Sequence, residues 1–402
     1  MSTMRYDMII VGGGLVGAGL AVALKQTDLR VAVIDARLPS SDDPRLFALN
    51  VSSCQFLENL GFWKTLEPHA TPIHQVQVSH RGHFGTVRMH HDEVNLPTLG
   101  HVVPAKYIEA AIQAELATLP NVDLYCPARL SALHQLEDGA EVILETDKGE
   151  VTLQASIVIG ADGASSTVRK LVDIPVDVVD YDQSAMVTRV RLPRSHQHIA
   201  YERFYQHGAI AMLPLPDQES ACIVTAEKSE IARLSALTDE AYLAEIQKLI
   251  GSRLGRLQGI TKRYEFPLKM VRAARTLDGA VLLLGNAAHT LHPIAAQGFN
   301  LALYEAAVLV EGISTKRHGG HPVSAADLHD MLLQSRQQLT VSVNVSHWLT
   351  RIFSSNSLPA NLLLSLGMAG FNATTPIKTK FMKMMTGRSG RVPTLLMRQH
   401  EQ

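Results

Sequence analysis

The sequence predicts an α/β chain: a Rossmann-like domain with an inserted antiparallel-sheet domain and C-terminal helices. Three observations carry that expectation. Tyr6 to Val11 is a buried-type strand ending in a cluster of glycines, Leu15 to Gln26 has the small and apolar residues of a helix, and Arg30 to Ile34 is a second apolar run ending at Asp35. Such a strand–helix–strand unit implies a parallel sheet. Residues 183–226 instead alternate, in segments such as Met186 to Leu192, Ile199 to Tyr205 and Cys222 to Thr225. That is the pattern of antiparallel strands with one solvated face. Buried-type runs return at Ser156 to Gly160 and at Ala280 to Leu284, and a helix over Asn300 to Ile313 follows the second.

The remaining elements fit the same plan. Helices are expected over Ser53 to Leu60, Pro104 to Leu119 and Asp239 to Gly251. Gln75 to Val78 and Thr86 to Met89 form a strand pair, and Leu124 to Leu133 and Glu141 to Leu153 are strand-rich. The expected division gives residues 1–73, 98–182 and 267–330 to the dinucleotide-binding domain. Residues 74–97 and 183–266 go to a substrate domain, and 331–402 to a C-terminal helical, basic region.

The 402 residues allow more than one core, and 46% hydrophobic content with a net charge of -1 excludes global disorder. Thirty-seven basic residues balance 38 acidic ones, so no nucleic-acid partner is expected. Cys54, Cys126 and Cys222 are far apart and odd in number, which argues against a disulfide framework or zinc motif. They read as packing residues of a protein in a reducing cytoplasm. The start has no signal-peptide layout. Two windows without charge, Gly279 to Tyr304 and Ile352 to Ile377, are too polar or too broken to span a membrane.

Three motifs carry chemistry. Gly12-Gly13-Gly14-Leu15-Val16-Gly17 lies between strand and helix. Gly12 permits the tight turn, Gly14 lets a pyrophosphate approach the backbone, and Gly17 lets helix and strand pack. The helix N-terminus turns free N–H groups toward the phosphates. Asp35, at the end of the next strand, can accept bonds from a ribose 2′-OH. The second motif, Gly160 to Arg169, contains Asp162-Gly163 and follows a buried strand; read alone, it is equally a capped turn with a solvated Arg169. The third, Gly285 to Asn300, contains Gly285, Asn286, His289, His292, Pro293, Gln297, Gly298 and Asn300. Its small residues suit a flat ligand against backbone. The helix that starts near Gly298 would stabilise a group that becomes negative, such as the pyrimidine end of a reduced flavin.

In this order and spacing the three motifs resemble the class A flavoprotein monooxygenases of the para-hydroxybenzoate hydroxylase fold, over roughly residues 5 to 350. Finer features are Asp43-Pro44-Arg45-Leu46-Phe47-Ala48-Leu49, Ser79 to Gly85, and Glu202-Arg203-Phe204-Tyr205-Gln206-His207-Gly208 ending in Ala211-Met212-Leu213-Pro214. These resemble the ubiquinone-biosynthesis hydroxylases, in particular the 2-polyprenyl-6-methoxyphenol hydroxylase branch. Departures from the superfamily are Asn286 for an Asp, Ala296 for a Gly and Asp35 for a Glu.

The resemblance implies FAD as cofactor and NAD(P)H as transient electron donor. It places Gly12, Gly14, Gly17 and Asp35 on the ADP part, and Asp162 and Gly163 near cofactor and nicotinamide phosphates. Gly285, Asn286, Gln297, Gly298 and Asn300 would hold the ribityl chain and isoalloxazine, with Arg45 near the flavin. It implies a polyprenylated phenol and O₂ as substrates, and hydroxylation through a C4a-hydroperoxide of the reduced flavin. Candidates for catalysis are Tyr201 and Arg203 on the antiparallel wall, and His292 and Pro293 beside the flavin. Two alternatives remain: a reductase or dehydrogenase of the same fold acting on a prenylated substrate, and a non-catalytic prenyl-binding protein.

Two further features have no motif. His69, His74, His80, His83, His90, His91 and His101 cluster in sequence without a ligand set of known spacing, and are expected as surface histidines rather than a metal site. Between Asp330 and Glu401 there is no Asp or Glu, where the chain's own frequency would put roughly seven. An apolar, basic segment suits peripheral attachment to an anionic bilayer, or docking on other ubiquinone-biosynthesis proteins. A buried helical cap and a homo-oligomer interface compete with it.

Overall fold

The structure is a computed structural model and describes residues 4–38, 43–82, 85–290, 297–335 and 370–398. β1 (Met4–Val11) lies in the middle of a mostly parallel sheet because Met8 to Val11 offer solvent no polar face. It pairs in parallel with β2 (Val31–Ile34) and with the end of β11 (Gly149–Gly160). β8 (Val122–Tyr125) and β19 (Val281–Leu283) continue the sheet in parallel on either side. β18 (Leu277–Asp278) adds an antiparallel edge, and β9 (Ala128–Leu136) and β10 (Gly139–Thr146) fold antiparallel onto the first half of β11. Helices α1 (Leu15–Ala23), α4 (Ala105–Leu116) and α8 (Gln297–His318) share one core cluster, in which Leu20, Ile108 and Leu309 meet Ile10, Val33 and Ile159. α2 (Val51–Asn59) and α3 (Trp63–Leu66) border it. β1, β11 and β19 end at Val11, Gly160 and Leu283, so the loops of all three motifs leave from the carboxyl edge of the sheet, where ligands bind. α5 (Thr167–Leu171) follows the second of these loops.

A nine-stranded sheet stands beside it. Its order is β20 (His289–Thr290), β17 (Tyr264–Ala273), β12 (Val176–Arg191), β15 (Glu219–Glu227), β14 (Gly208–Pro214), β13 (Ile199–Tyr205), β5 (Gln75–His80) and β6 (Thr86–His90), with β16 (Gly259–Ile260) also on β12. Only β13 and β5 among these pairs run parallel. α6 (Lys228–Ser235) and α7 (Asp239–Ile250) cover its outer face, where Ile231, Tyr242 and Ile246 pack on Met212, Cys222 and Val224. The inner face meets a three-stranded sheet, β3 (Leu46–Asn50), β7 (Gly100–Pro104) and β4 (Thr71–Ile73), through Ala200, Ala221, Leu46, Ala48 and Val102.

The three-stranded sheet is absent from the sequence reading. β12 and β17 also run through the expected divisions at 182/183 and 266/267. Two histidines expected at the surface are withdrawn from it, His80 fully and His101 in part. His80 is buried, and His101 stands edge-on to Trp63 at 4.8 Å, its burial holding it down at about 4. His74 lies 5.1 Å from His91 and 4.8 Å from His198, ring to ring. His90, His91 and Asp92 converge within 4.8 Å, but Nδ1 of His91 already meets the Leu96 carbonyl and Nδ1 of His90 the Asp92 N–H. His83 lies outside the described residues. Cys54 and Cys222 are buried.

Much of the C-terminal segment, 336–369 and 399–402, also lies outside the described residues. The rest docks on the fold. The helix Thr375–Met385 buries Met382 against Val87, Met89 and Phe204, and its Lys378 pairs with Glu93. Arg391 pairs with Glu311. Among the described residues no helix is long and apolar enough to cross a membrane. Because α7 contributes to a core separate from the parallel sheet, Ile246→Ala is expected to cost about 2–5 kcal/mol in urea unfolding. Bound flavin per folded chain should not change.

Candidate functional site

The first loop is shaped by backbone contact. Gly12 has φ +110, and a Cβ there would lie 2.4 Å from the Ala161 carbonyl oxygen. A Cβ on Gly17 would lie 1.9 Å from the Gly12 oxygen. Gly14 differs: it is exposed, and a Cβ there would meet no protein atom within 4 Å. No side chain caps the helix that Gly14 opens. Open space above uncapped N–H groups is the cradle a pyrophosphate needs. The Gly13 N–H donates to Oδ2 of Asp35 at 2.7 Å, and the Arg37 N–H donates to Oδ1 at 2.8 Å, which fixes the carboxylate at the edge of that cradle.

In the second loop Oδ2 of Asp162 accepts from the N–H groups of Thr167 (2.6 Å) and Val168 (3.1 Å), capping α5. Its Oδ1 is buried and has no hydrogen-bond partner. A buried orphan acceptor on a carboxylate is costly. A donor from a bound ligand, such as a ribityl or ribose hydroxyl, would satisfy it. Gly163 turns the chain at φ +86. Arg169 is not solvated, as the capped-turn reading had it: it is 5% exposed, with Nη1 donating to the Ala287 carbonyl (2.8 Å) and Nη2 to Ala164 (2.7 Å). Its guanidinium therefore ties the second loop to the third. The fork geometry of arginine suits two diverging carbonyls.

The third loop begins at Gly285, with φ +57 and its N–H donating to Oε2 of Glu305 at 3.3 Å. Glu305 is fully buried on α8, and Nε2 of His289 lies 3.6 Å from its Oε1. The Asn286 side chain is exposed at the loop's surface. A Cβ on Gly298 would meet nothing within 4 Å, as at Gly14. Asn300 is buried: its Nδ2 donates to the Ala48 carbonyl and its Oδ1 accepts the Asn50 N–H, both at 2.9 Å. It clasps the start of α8 to β3. Gln297 opens α8, while His292 and Pro293 lie outside the described residues.

Arg45 precedes β3. It is paired in bidentate fashion with Asp43 and stands 5.6 Å over the Phe47 ring, which in turn meets Phe299 at 4.4 Å. Burial alone would raise the Asp43 carboxyl; the Arg45 guanidinium outweighs it and holds the group below the usual carboxylate range. Arg45 thus reaches the third loop through Phe47.

Tyr201 and Arg203 require a correction. Both point to the outer face of β13, toward α7 and away from β3. Nη1 of Arg203 donates to the Ile250 carbonyl at 3.0 Å, and Tyr201 packs on the cluster of Met212, Cys222 and Ile250. Side chains alternate along a strand, so Ala200, Glu202 and Phe204 face inward instead. Three residues that sequence reasoning missed are Arg169, Glu202 and Glu305. For Glu305 a signal existed: a carboxylate between Ala302, Ala306 and Leu309 on the apolar face of a helix.

The residues present fit the ADP and ribityl portions of FAD. Gly14→Val is expected to fold with near-normal thermal stability yet purify with little flavin, because its Cβ displaces ligand and not protein. Gly17→Val should fail to fold. Asp162→Asn keeps one acceptor oxygen for the α5 cap and puts an N–H₂ donor where the orphan oxygen lies. Flavin affinity by fluorescence titration should fall at least tenfold with secondary structure unchanged. Equal affinity would remove Asp162 from the cofactor site.

Comparison with known proteins agrees with this geometry. The family model described as FAD binding domain matches residues 5–328. The chain is 33% identical over 400 residues to a protein of Rhodospirillum rubrum named ubiquinone hydroxylase UbiL, covering 98% of this chain and 92% of that one. It is 30% identical over 407 residues to the 3-demethoxyubiquinol 3-hydroxylase of Escherichia coli, covering 96% and 100%. Among solved structures, p-nitrophenol 4-monooxygenase PnpA from Pseudomonas putida superposes with a TM-score of 0.80 at 18% identity, over 97% of this chain and 100% of that one. The chain belongs to the FAD-binding-domain family, and within it to the class A flavin-dependent monooxygenases.

Proposed function

We propose that this chain hydroxylates the phenol ring of a 2-polyprenyl-6-methoxyphenol in ubiquinone biosynthesis, with O₂ as oxygen source and NAD(P)H as transient electron donor. One observation carries the reading. The flavin cradle and the inner face of the antiparallel sheet meet across β3: its Leu46 and Ala48 pack on Ala200, and its Phe47 packs on Phe299. A ring lying on that inner face would therefore sit beside the flavin loop. The relatives named for ubiquinone hydroxylation support the substrate class.

Bound FAD supplies the electron transfer and the activation of O₂. The chain's own residues do the rest. The open N-terminus of α1 would hold the pyrophosphate, and the Asp162 orphan oxygen would accept a cofactor hydroxyl. Arg169 keeps the second and third loops at fixed separation. The apolar inner face positions the phenol and excludes water.

A polyprenyl substrate resides in a bilayer, and the carboxylate-free C-terminal segment supports peripheral attachment there. Lys378 and Arg391 already have partners in Glu93 and Glu311, so lipid contact would rest on other basic residues. Purified holoprotein given NAD(P)H, ¹⁸O₂ and a short-chain 2-prenyl-6-methoxyphenol should yield a ring-hydroxylated product carrying one ¹⁸O. Cells lacking the protein should accumulate the unhydroxylated phenol. Oxygen-independent NAD(P)H oxidation with a reduced prenyl product would replace this reading with a reductase. Accumulation of a demethoxyubiquinone would move the hydroxylation to another ring position.

A further inference from the structure

The inner face of the nine-stranded sheet carries a half-buried strip that crosses six strands. In register across it are Val78, Glu202, Ala211, Ile223, Val187 and Tyr264. All six keep partial solvent contact. The rows on both sides hold buried residues, Phe204 and Ala209 on one and Ala200 and Ala221 on the other. Directly behind, on the outer face, Met212 and Cys222 are closed off under α7. The strip is thus an accessible apolar floor between two sealed clusters, and it carries a single carboxylate.

That carboxylate has no hydrogen bond or ion pair among the described residues. Other titratable or charged side chains on this face are His80, beside Phe204, Arg189 and Tyr264 farther across the sheet, and Arg191, Glu219 and Glu227 toward the ends of β12 and β15. On the elements packed against the face, Arg45 is paired with Asp43 and Lys378 with Glu93. None of them neutralises Glu202. Ala200, two residues back on the same face, packs on β3, so Glu202 lies roughly 7 Å farther along the strand from that junction.

We propose that Glu202 is the base that takes the phenol proton of the substrate, with the ring laid along this strip. The inference rests on the phenol-hydroxylase reading above. The phenol O–H bond breaks, the proton passes to a Glu202 carboxylate oxygen, and the electron pair stays on the phenolate oxygen. The ring becomes electron-rich where oxygen is inserted, and Glu202 returns the proton to the hydroxylated product. Burial, with no cation to offset it, pushes the Glu202 carboxyl up to about 7. A base of that strength works best near neutral pH. The carboxylate form prevails above the midpoint, so turnover should rise as pH rises through about 7.

The test uses flavin-loaded protein and a short-chain 2-prenyl-6-methoxyphenol. On wild type, the bound phenol should show a phenolate absorbance band well below its free ionisation pH. Glu202→Gln should keep its flavin and lose that band at neutral pH, and its turnover should fall on the order of 10²–10⁴-fold. Glu202→Asp should recover part of both. A Gln variant that ionises the phenol and turns over like wild type, with the same pH profile, overturns the assignment and leaves the hydroxylase reading intact. A wild type that neither binds nor hydroxylates the phenol overturns both.

Discussion

The structure depends on a backbone contact. The chain at Gly12 approaches Ala161 so closely that a single added carbon would lie 2.4 Å from its carbonyl oxygen. Gly17 in turn presses α1 back onto Gly12. These contacts bring the ends of β1 and β11 to one edge with the helix N-terminus open above them. Arg169 then extends the arrangement by fastening Ala164 to Ala287. The third loop comes from more than a hundred residues later in the chain, so its place has to be enforced by tertiary bonds. A buried guanidinium donating to two carbonyls does this without a carboxylate that would compete with bound phosphate for positive charge.

The first part of this architecture was legible because its physics is local. A strand buried on both faces must be a continuous apolar run, and β1 is one. A helix that starts against a pyrophosphate needs glycine at fixed offsets, and Gly12, Gly14 and Gly17 stand at them. The roles that depend on distant partners were not legible. Arg169 looks like any solvated arginine after a turn until Ala287 is seen beside it. Asn300 looks like a ligand contact, yet its carboxamide bonds to Ala48 and Asn50, some 250 residues earlier. β3 is only five residues long, and its apolar run Leu46 to Leu49 is too short to declare itself a strand. It becomes a strand only because β7 pairs with it.

The antiparallel wall shows a different limit. Period-two alternation says that β13 has two faces, but both are covered: one by α7, the other in part by β3. Tyr201, Arg203 and Tyr205 form one set; Ala200, Glu202 and Phe204 form the other. Each set contains an aromatic ring and a charge, so residue type cannot decide which looks toward the flavin loop. The register does decide it. A shift of one residue would exchange the sets completely, and it is the pairing of Glu202 with Val78 and Ala211 that fixes the inward one.

The C-terminal segment belongs to this same environment. Its helix packs Met382 and Phe381 on Phe204 and Val87, sealing one end of the strip, while the three-stranded sheet seals the other. Desolvation of a carboxyl group depends on what closes both ends, so a remote helix contributes to the basicity of Glu202 without touching a substrate. The charge pattern of the segment then acquires a local consequence beyond any membrane role. A helix without acidic residues brings no second anion to that end. Glu93, the carboxylate it meets, is held ionised by Lys378. Burial is left as the influence that sets Glu202. A negative charge introduced on that helix would act on the same carboxyl through space, raising it further and shifting its working range to higher pH.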